Sequence, residues 1–321
     1  MSIEIHLQEF DGLPVFEFPG PKSGAALPAA GEVAWRLQYE ENWVREDDRY
    51  RKAVDETFAE LWQRFLATVD LAQVRALVIG QWSEIPAAEV ADLLIAAADR
   101  LTGLRALFFG DLHREESDLA HIDLCDLAPV ALAYPGLEVL AGRGVDTFGR
   151  IEHPALRTLL LESSGLPSDV LANVLDSELP ALERLELWLG VEEHGGDISV
   201  ADLEPLLSGR LFPALRHLAL ENSELQDEIA AAVASAPVVA RLESLSLALG
   251  TLSDEGAAAL LAGQPLTHLR LLDLYHHFLS EEMVDRLRKT LEPAGVELDL
   301  DEPQEADEMG GEVWRYVANA E

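Results

Sequence analysis

Leu182-Glu183-Arg184-Leu185-Glu186-Leu187 has the form L-x-x-L-x-L, and that form recurs along a chain of 321 residues. It returns at 104–109, 156–161, 215–220, 242–247 and 269–274, with looser copies at 74–79 and 137–142. In a short extended segment, alternate side chains share a face, so Leu185 and Leu187 point together into a core. Burying one such side chain contributes roughly 1.5–3 kcal/mol, too little for a lone unit to offset its own ordering entropy. The units must therefore stack, and a fixed period of this kind predicts a solenoid.

First positions are separated by 30, 33, 19, 26, 33, 27 and 27 residues from Val74 onward. The longer spacings leave room for a helix in each return. Ser253 is a good helix N-cap, followed by Asp254 and Glu255 at the positive end of the helix dipole and by the apolar run 257–261. The same grammar opens helices near Ser168, Asp227 and Ser280. Pro154, Pro180 and Pro213 each stand two residues before a repeat leucine, where proline favours an extended approach. The 19-residue unit, with Gly142, Gly144 and Gly149, predicts a connection without a helix.

These units resemble leucine-rich repeats of the ribonuclease-inhibitor type, most closely in L-S-D-E-G-A-A-A-L-L at 252–261. The resemblance covers roughly 74–300 and implies an α/β leucine-rich-repeat solenoid of about eight repeats, with a concave parallel sheet and convex helices. The whole chain also resembles a bacterial leucine-rich-repeat family of no established activity. That likeness rests on Leu185-Glu-Leu-Trp-Leu-Gly190 with Gly195-Gly196-Asp197, on Ala236-Pro-Val-Val-Ala-Arg241 and on Trp314-Arg-Tyr-Val317. It implies an accessory role in a small biosynthetic or modifying system, beside radical-SAM, ATP-grasp and phosphatase-like genes.

Three segments are expected: an N-terminal α/β cap over 1–72, the solenoid over 73–300, and a C-terminal tail over 301–321. Within the cap, 13–18 and 33–39 alternate like strands, and Leu61, Phe65 and Leu66 share a helical face. The tail opens with an acidic run, which predicts a solvated and partly mobile segment, and then turns abruptly aromatic at 313–317. That aromatic stretch is expected to dock back on the body.

The formal net charge of −36, from 59 acidic and 23 basic residues, argues against nucleic acid and anionic membranes as partners. A lone cysteine, Cys125, excludes an internal disulfide and is expected to be a buried structural thiol. The first residues lack a basic and apolar leader pattern, and no apolar run is long enough to span a bilayer. A cytoplasmic monomer is the expectation.

Between the leucines, the exposed positions change from apolar at Val78 and Phe108 to acidic and aromatic further on. The candidate partner-binding residues are Glu162, Arg184, Glu186, Trp188, His217, Glu221, Asp273 and Tyr275. Trp188 and Tyr275 are candidate solvent-facing hot spots, and the surrounding carboxylates favour an Arg- or Lys-bearing partner. The 190–199 loop offers Glu192, Glu193, His194 and Asp197, in a spacing that matches no standard metal motif. Adjacent His276 and His277 point to opposite sides of an extended strand, which is awkward for a shared metal. No catalytic constellation, cofactor motif or metal motif is expected. The reading is therefore a non-enzymatic scaffold that binds a protein or peptide with a basic surface. The alternative is an accessory subunit or cryptic enzyme of a small bacterial system.

Overall fold

The alternation of repeat leucines is realised as one long sheet in the structure, a computed structural model. It describes residues 3, 5–39, 42–46, 49–53, 55–82 and 85–320, with only the backbone at 42–46, 49–53, 309 and 312. The reading of the extreme N-terminus as leaderless falls partly on residues 1, 2 and 4, which lie outside the described residues.

In chain order the strands are β1 (Glu9–Phe10), β2 (Leu13–Glu17), β3 (Ala34–Leu37), β4 (Asn42–Glu46), β5 (Arg49–Ala53), β6 (Ala76–Ile79), β7 (Ala106–Phe109) and β8 (Val139–Arg143). They continue as β9 (Thr158–Glu162), β10 (Arg184–Gly190), β11 (His217–Ser223), β12 (Ser244–Ser246), β13 (Leu271–Asp273), β14 (Glu297–Asp299), β15 (Asp307–Met309) and β16 (Glu312–Trp314). Twelve form one sheet in the order β1-β2-β3-β6-β7-β8-β9-β10-β11-β12-β13-β14. All neighbours in it run parallel except β1 and β2. β4–β5 and β15–β16 are separate antiparallel hairpins. The result is a repeat-like α/β fold in which the strands of the long sheet follow chain order, with the β4–β5 hairpin set apart between β3 and β6.

Register is what aligns the functional rows. Leu159, Leu185 and Leu218 stand side by side, as do Leu161, Leu187 and Leu220, and all six are buried in one continuous core. The helices pack on that side. They are α1 (Phe58–Thr68), α2 (Ala87–Ala96), α3 (Ala128–Ala133), α4 (Ser168–Leu175), α5 (Glu204–Leu207), α6 (Gln226–Val233), α7 (Asp254–Ala262) and α8 (Glu281–Leu291). Ser253 caps α7 by accepting the Glu255 amide, and Ser280 caps α8 by accepting that of Met283. Among 144–157, the return from β8 to β9, there is no helix, as the short third unit predicts.

The N-terminal region joins the same sheet through β1–β3. Phe18, Trp35, Trp62 and Phe65 form an edge-to-face and stacked cluster beneath α1. Asp11-Gly12, both with positive φ, make the two-residue turn between β1 and β2. The segment before this turn then crosses the opposite sheet face. Phe10 meets Phe108 edge-on with centroids 5.9 Å apart, and Leu7 packs with it against Ala34, Ala76, Val78, Ala106, Phe108, Ala141 and Leu160. The apolar half of the outer face is thus apolar because the chain's own strap, residues 5–10, covers it. Phe10→Ala is expected to cost about 2–4 kcal/mol in urea unfolding and to increase binding of a hydrophobic dye. Wild-type dye binding in the variant would mean that the strap does not seal this face.

The acidic tail is more ordered than its composition predicts, because the β15–β16 hairpin folds within it. Beyond the hairpin the chain docks. The Asn222 side chain donates to Asn319 O (2.8 Å) and accepts from Asn319 N (3.0 Å), while Ala318 N donates to Leu249 O (2.8 Å). Asn222 sits at φ 55°, a left-handed conformation that asparagine tolerates, and this turns its amide toward the tail. Docking therefore uses the Asn222 side chain near the end of β11 and the Leu249 carbonyl beyond β12. The tail adds no strand to the sheet edge.

Candidate binding face

The outer face beyond the strap is polar, and its chemistry begins with a buried ionic chain. Asp111 is fully buried and takes Arg36 on both its carboxylate and its carbonyl oxygen, the latter at 2.7 Å. Arg143 lies 3.9 Å from the same carboxylate, donates to Leu112 O (2.5 Å) and pairs with Glu162 Oε2 (2.6 Å). The Leu7 amide donates to Asp111 as well, which ties the strap to the chain of charges (3.2 Å). Glu162 Oε1 is buried and, among the described residues, has no hydrogen bond.

Glu162 ends the paired stretch, and among the described residues the acids that follow it on this face form no ion pair with Arg or Lys. Glu186 stands in register with Leu160 on one side and Ala219 on the other, and Trp188 with Glu221. Burial, then the neighbouring carboxylates of Glu221 and Glu162, pushes the Glu186 carboxyl up to about 8. Burial also raises Glu221, although Ser246 Oγ and the Trp188 indole N–H (3.0 Å) both donate to it. Asp273 is raised by burial too, against the Tyr275 amide that donates to it at 2.9 Å. No described residue donates a hydrogen bond to Glu186. The face therefore holds carboxyl groups whose ionisation burial opposes, and a cation placed among them would favour their ionised form.

The eight sequence-derived candidates divide by exposure. Glu162, Glu186, Trp188 and Glu221 are buried, His217, Asp273 and Tyr275 are half-buried, and Arg184 is exposed. Trp188 is not the solvent-facing aromatic that its position suggests. It has no exposed surface, and its indole nitrogen serves Glu221. His217 Nδ1 pairs with Ser244 Oγ (2.7 Å), and burial, then Arg184, lowers its pKa. No carboxylate among the described residues bonds its other nitrogen, so a nucleophile–base–orienter triad is not assembled here.

The aromatics that do face solvent lie in the tail. Trp314 and Tyr316 are each about half exposed, and they line a cleft of about 520 Å³ with Arg114, Val191, Glu193 and His194. The abrupt W-R-Y-V composition was the available signal, but it could not separate Val317, which is buried, from its exposed neighbours. The 190–199 loop is tied down rather than free. Asp197 accepts the Ser168 amide at 2.6 Å, and Gly190, at φ 72°, runs so close to Ser164 that a Cβ would fall 2.0 Å from its carbonyl oxygen. His276 and His277 are occupied by the carbonyls of Tyr316 (3.2 Å) and Leu300 (3.1 Å). Burial pushes the Cys125 thiol up to about 11, which keeps it protonated at neutral pH.

A protein from Bacteroides fragilis, known from its crystal structure, has a similar overall fold. It superposes with a TM-score of 0.72 at 31% sequence identity, over 76% of this chain and 70% of that one. The chain belongs to the family of that Bacteroides fragilis protein. No protein-family model matches the sequence, and no curated protein matches it. Kinship with the Bacteroides fragilis protein supports the repeat-like fold and carries no substrate or partner with it. Among the described residues, no helix is long and apolar enough to cross a membrane.

Proposed function

We propose that this chain is a non-enzymatic leucine-rich-repeat scaffold of about eight ribonuclease-inhibitor-like units, acting as a cytoplasmic monomer. It holds a basic side chain of a protein or peptide partner on the polar half of its outer sheet face. The observation that carries this reading is the group of Glu186, Glu221 and Asp273, whose ionisation burial opposes and none of which forms an ion pair with Arg or Lys among the described residues. A guanidinium or ammonium group satisfies such carboxylates, and Arg does so with a two-pronged geometry. The strap supports the assignment by closing the apolar half of the face and leaving the acidic half as the one that differs.

Labelled Arg-rich and Glu-rich peptides, compared by fluorescence anisotropy at 0.15 M salt, test this. Long-range attraction to the net charge is largely screened under those conditions. The Arg-rich peptide should bind, and Asp273→Lys with Asp299→Lys, its register partner on β14, should weaken it at least tenfold. Glu281→Lys with Glu282→Lys, on α8, makes the same charge change elsewhere and should leave binding intact. Equal loss in both variants would reduce the interaction to bulk charge.

A further inference from the structure

His6, on the strap, and His113 and Glu116, on the loop after β7, are brought together from opposite ends of a separation of more than a hundred residues. His6 Nε2 lies 2.6 Å from Glu116 Oε2, and His113 Nε2 lies 4.0 Å from Glu116 Oε1. The two imidazole rings face one another at 4.4 Å. One ligand atom from each residue can be chosen so that all three fall within 4.8 Å of one another. We propose that these three side chains bind one divalent transition-metal ion of the zinc class, and that the ion clasps the strap to the body.

The ligand chemistry is that of an open zinc site, with two imidazoles, one carboxylate and a fourth position for water. Metal–ligand bonds of about 2.0–2.1 Å place tetrahedral donor atoms roughly 3.3 Å apart. His6 and Glu116 therefore need to separate by less than an ångström, and the other donor pairs, which lie within 4.8 Å, need to close by up to about 1.5 Å. All three side chains are mostly but not fully buried, so an ion can enter and is then partly shielded from water. The His113 amide donates to Glu116 Oε2 at 3.2 Å, which holds the carboxylate toward both rings. His113 Nδ1 now accepts the Glu115 amide at 3.1 Å. Coordination through Nε2 moves the ring proton to Nδ1, so the Glu115 amide must turn to water when the ion binds.

The surrounding contacts give the clasp its effect. Arg114 N donates to Ile3 O (3.1 Å), and the Leu7 amide donates to Asp111. A metal at His6 fixes the strap between these two points, directly upstream of Phe10 and the apolar face that Phe10 covers. Metal occupancy would then set how firmly that face is closed.

The test uses the full chain, stripped with a chelator and titrated with Zn²⁺ by calorimetry, with Co²⁺ absorption as a report on coordination geometry. One ion per chain is expected, with tetrahedral-type Co²⁺ bands, a raised melting temperature and faster hydrogen exchange at the Glu115 amide. His6→Asn and Glu116→Gln should each weaken Zn²⁺ at least tenfold, and His194→Ala should not. Should a variant fold poorly, Zn²⁺ protection of His6 and His113 against diethyl pyrocarbonate in the wild type gives the same answer. Absence of one-to-one binding, binding that survives His6→Asn, or an unprotected His6 would overturn the proposal and leave a His–Glu ion pair.

Discussion

Arg143→Met should lower the free energy of unfolding by about 3–5 kcal/mol, read from urea denaturation near neutral pH. Arg143 has almost no exposed surface and lies between the fully buried carboxylates of Asp111 and Glu162. Methionine fills much of the same volume, so the loss is mainly electrostatic. Glu162 forfeits its cation, with one oxygen already unsatisfied, and Asp111 keeps Arg36 and the Leu7 amide. Breaking a buried pair from one side is far costlier than the pair is favourable, because the charge left behind remains desolvated. Arg150→Ala provides the contrast. Its pairs with Glu152 and Glu178 are largely exposed, and its removal should change stability by no more than about 1 kcal/mol. Equal effects for the two substitutions would mean that the ionic chain contributes no more than surface pairs do.

The second large effect lies in pH. Folded Glu186 holds its proton up to about 8, whereas an ordinary glutamate releases it near 4.5. Between those values the folded chain carries the extra proton, so stability falls as pH rises through the window. The full difference amounts to several kcal/mol, on the order of 3–5. Glu186→Gln abolishes this dependence, because its amide stays neutral in both states. His217, His276 and His277, all lowered by burial, contribute an opposite slope at more acidic pH, but the variant shares them. The difference in melting temperature between wild type and variant from pH 5 to 9 therefore isolates Glu186. The variant should gain several degrees at the alkaline end. Parallel curves would show that Glu186 ionises normally.

The parts of the fold that were legible in the sequence are those governed by local periodicity. Leu185 and Leu187 announce their face by alternation, and Ser253 and Ser280 announce their helices by capping chemistry. What the period could not convey is which chain lies on the other face. Val78 and Phe108 look like an open apolar stretch until Leu7 and Phe10, about seventy and a hundred residues away in sequence, are seen to cover them. The same limit applies to Trp188. Its place between the repeat leucines suggested a solvent-facing ring, but its burial and its bond to Glu221 arise from tertiary packing. The carboxylate row was visible as composition. Its proton-holding character depends on desolvation, which no residue spacing encodes.

Exchange of a cation for a proton among the buried carboxyl groups is the central event at this face, and calorimetry measures it directly. The Arg-rich peptide is titrated into the wild-type chain at pH 7, in two buffers of different ionisation enthalpy. Binding should release about one proton per peptide, lost in Glu186→Gln, and affinity should be higher at pH 8.5 than at pH 6. Identical binding heats in the two buffers, with affinity independent of pH, would contradict the assignment of this face as the cation-binding surface.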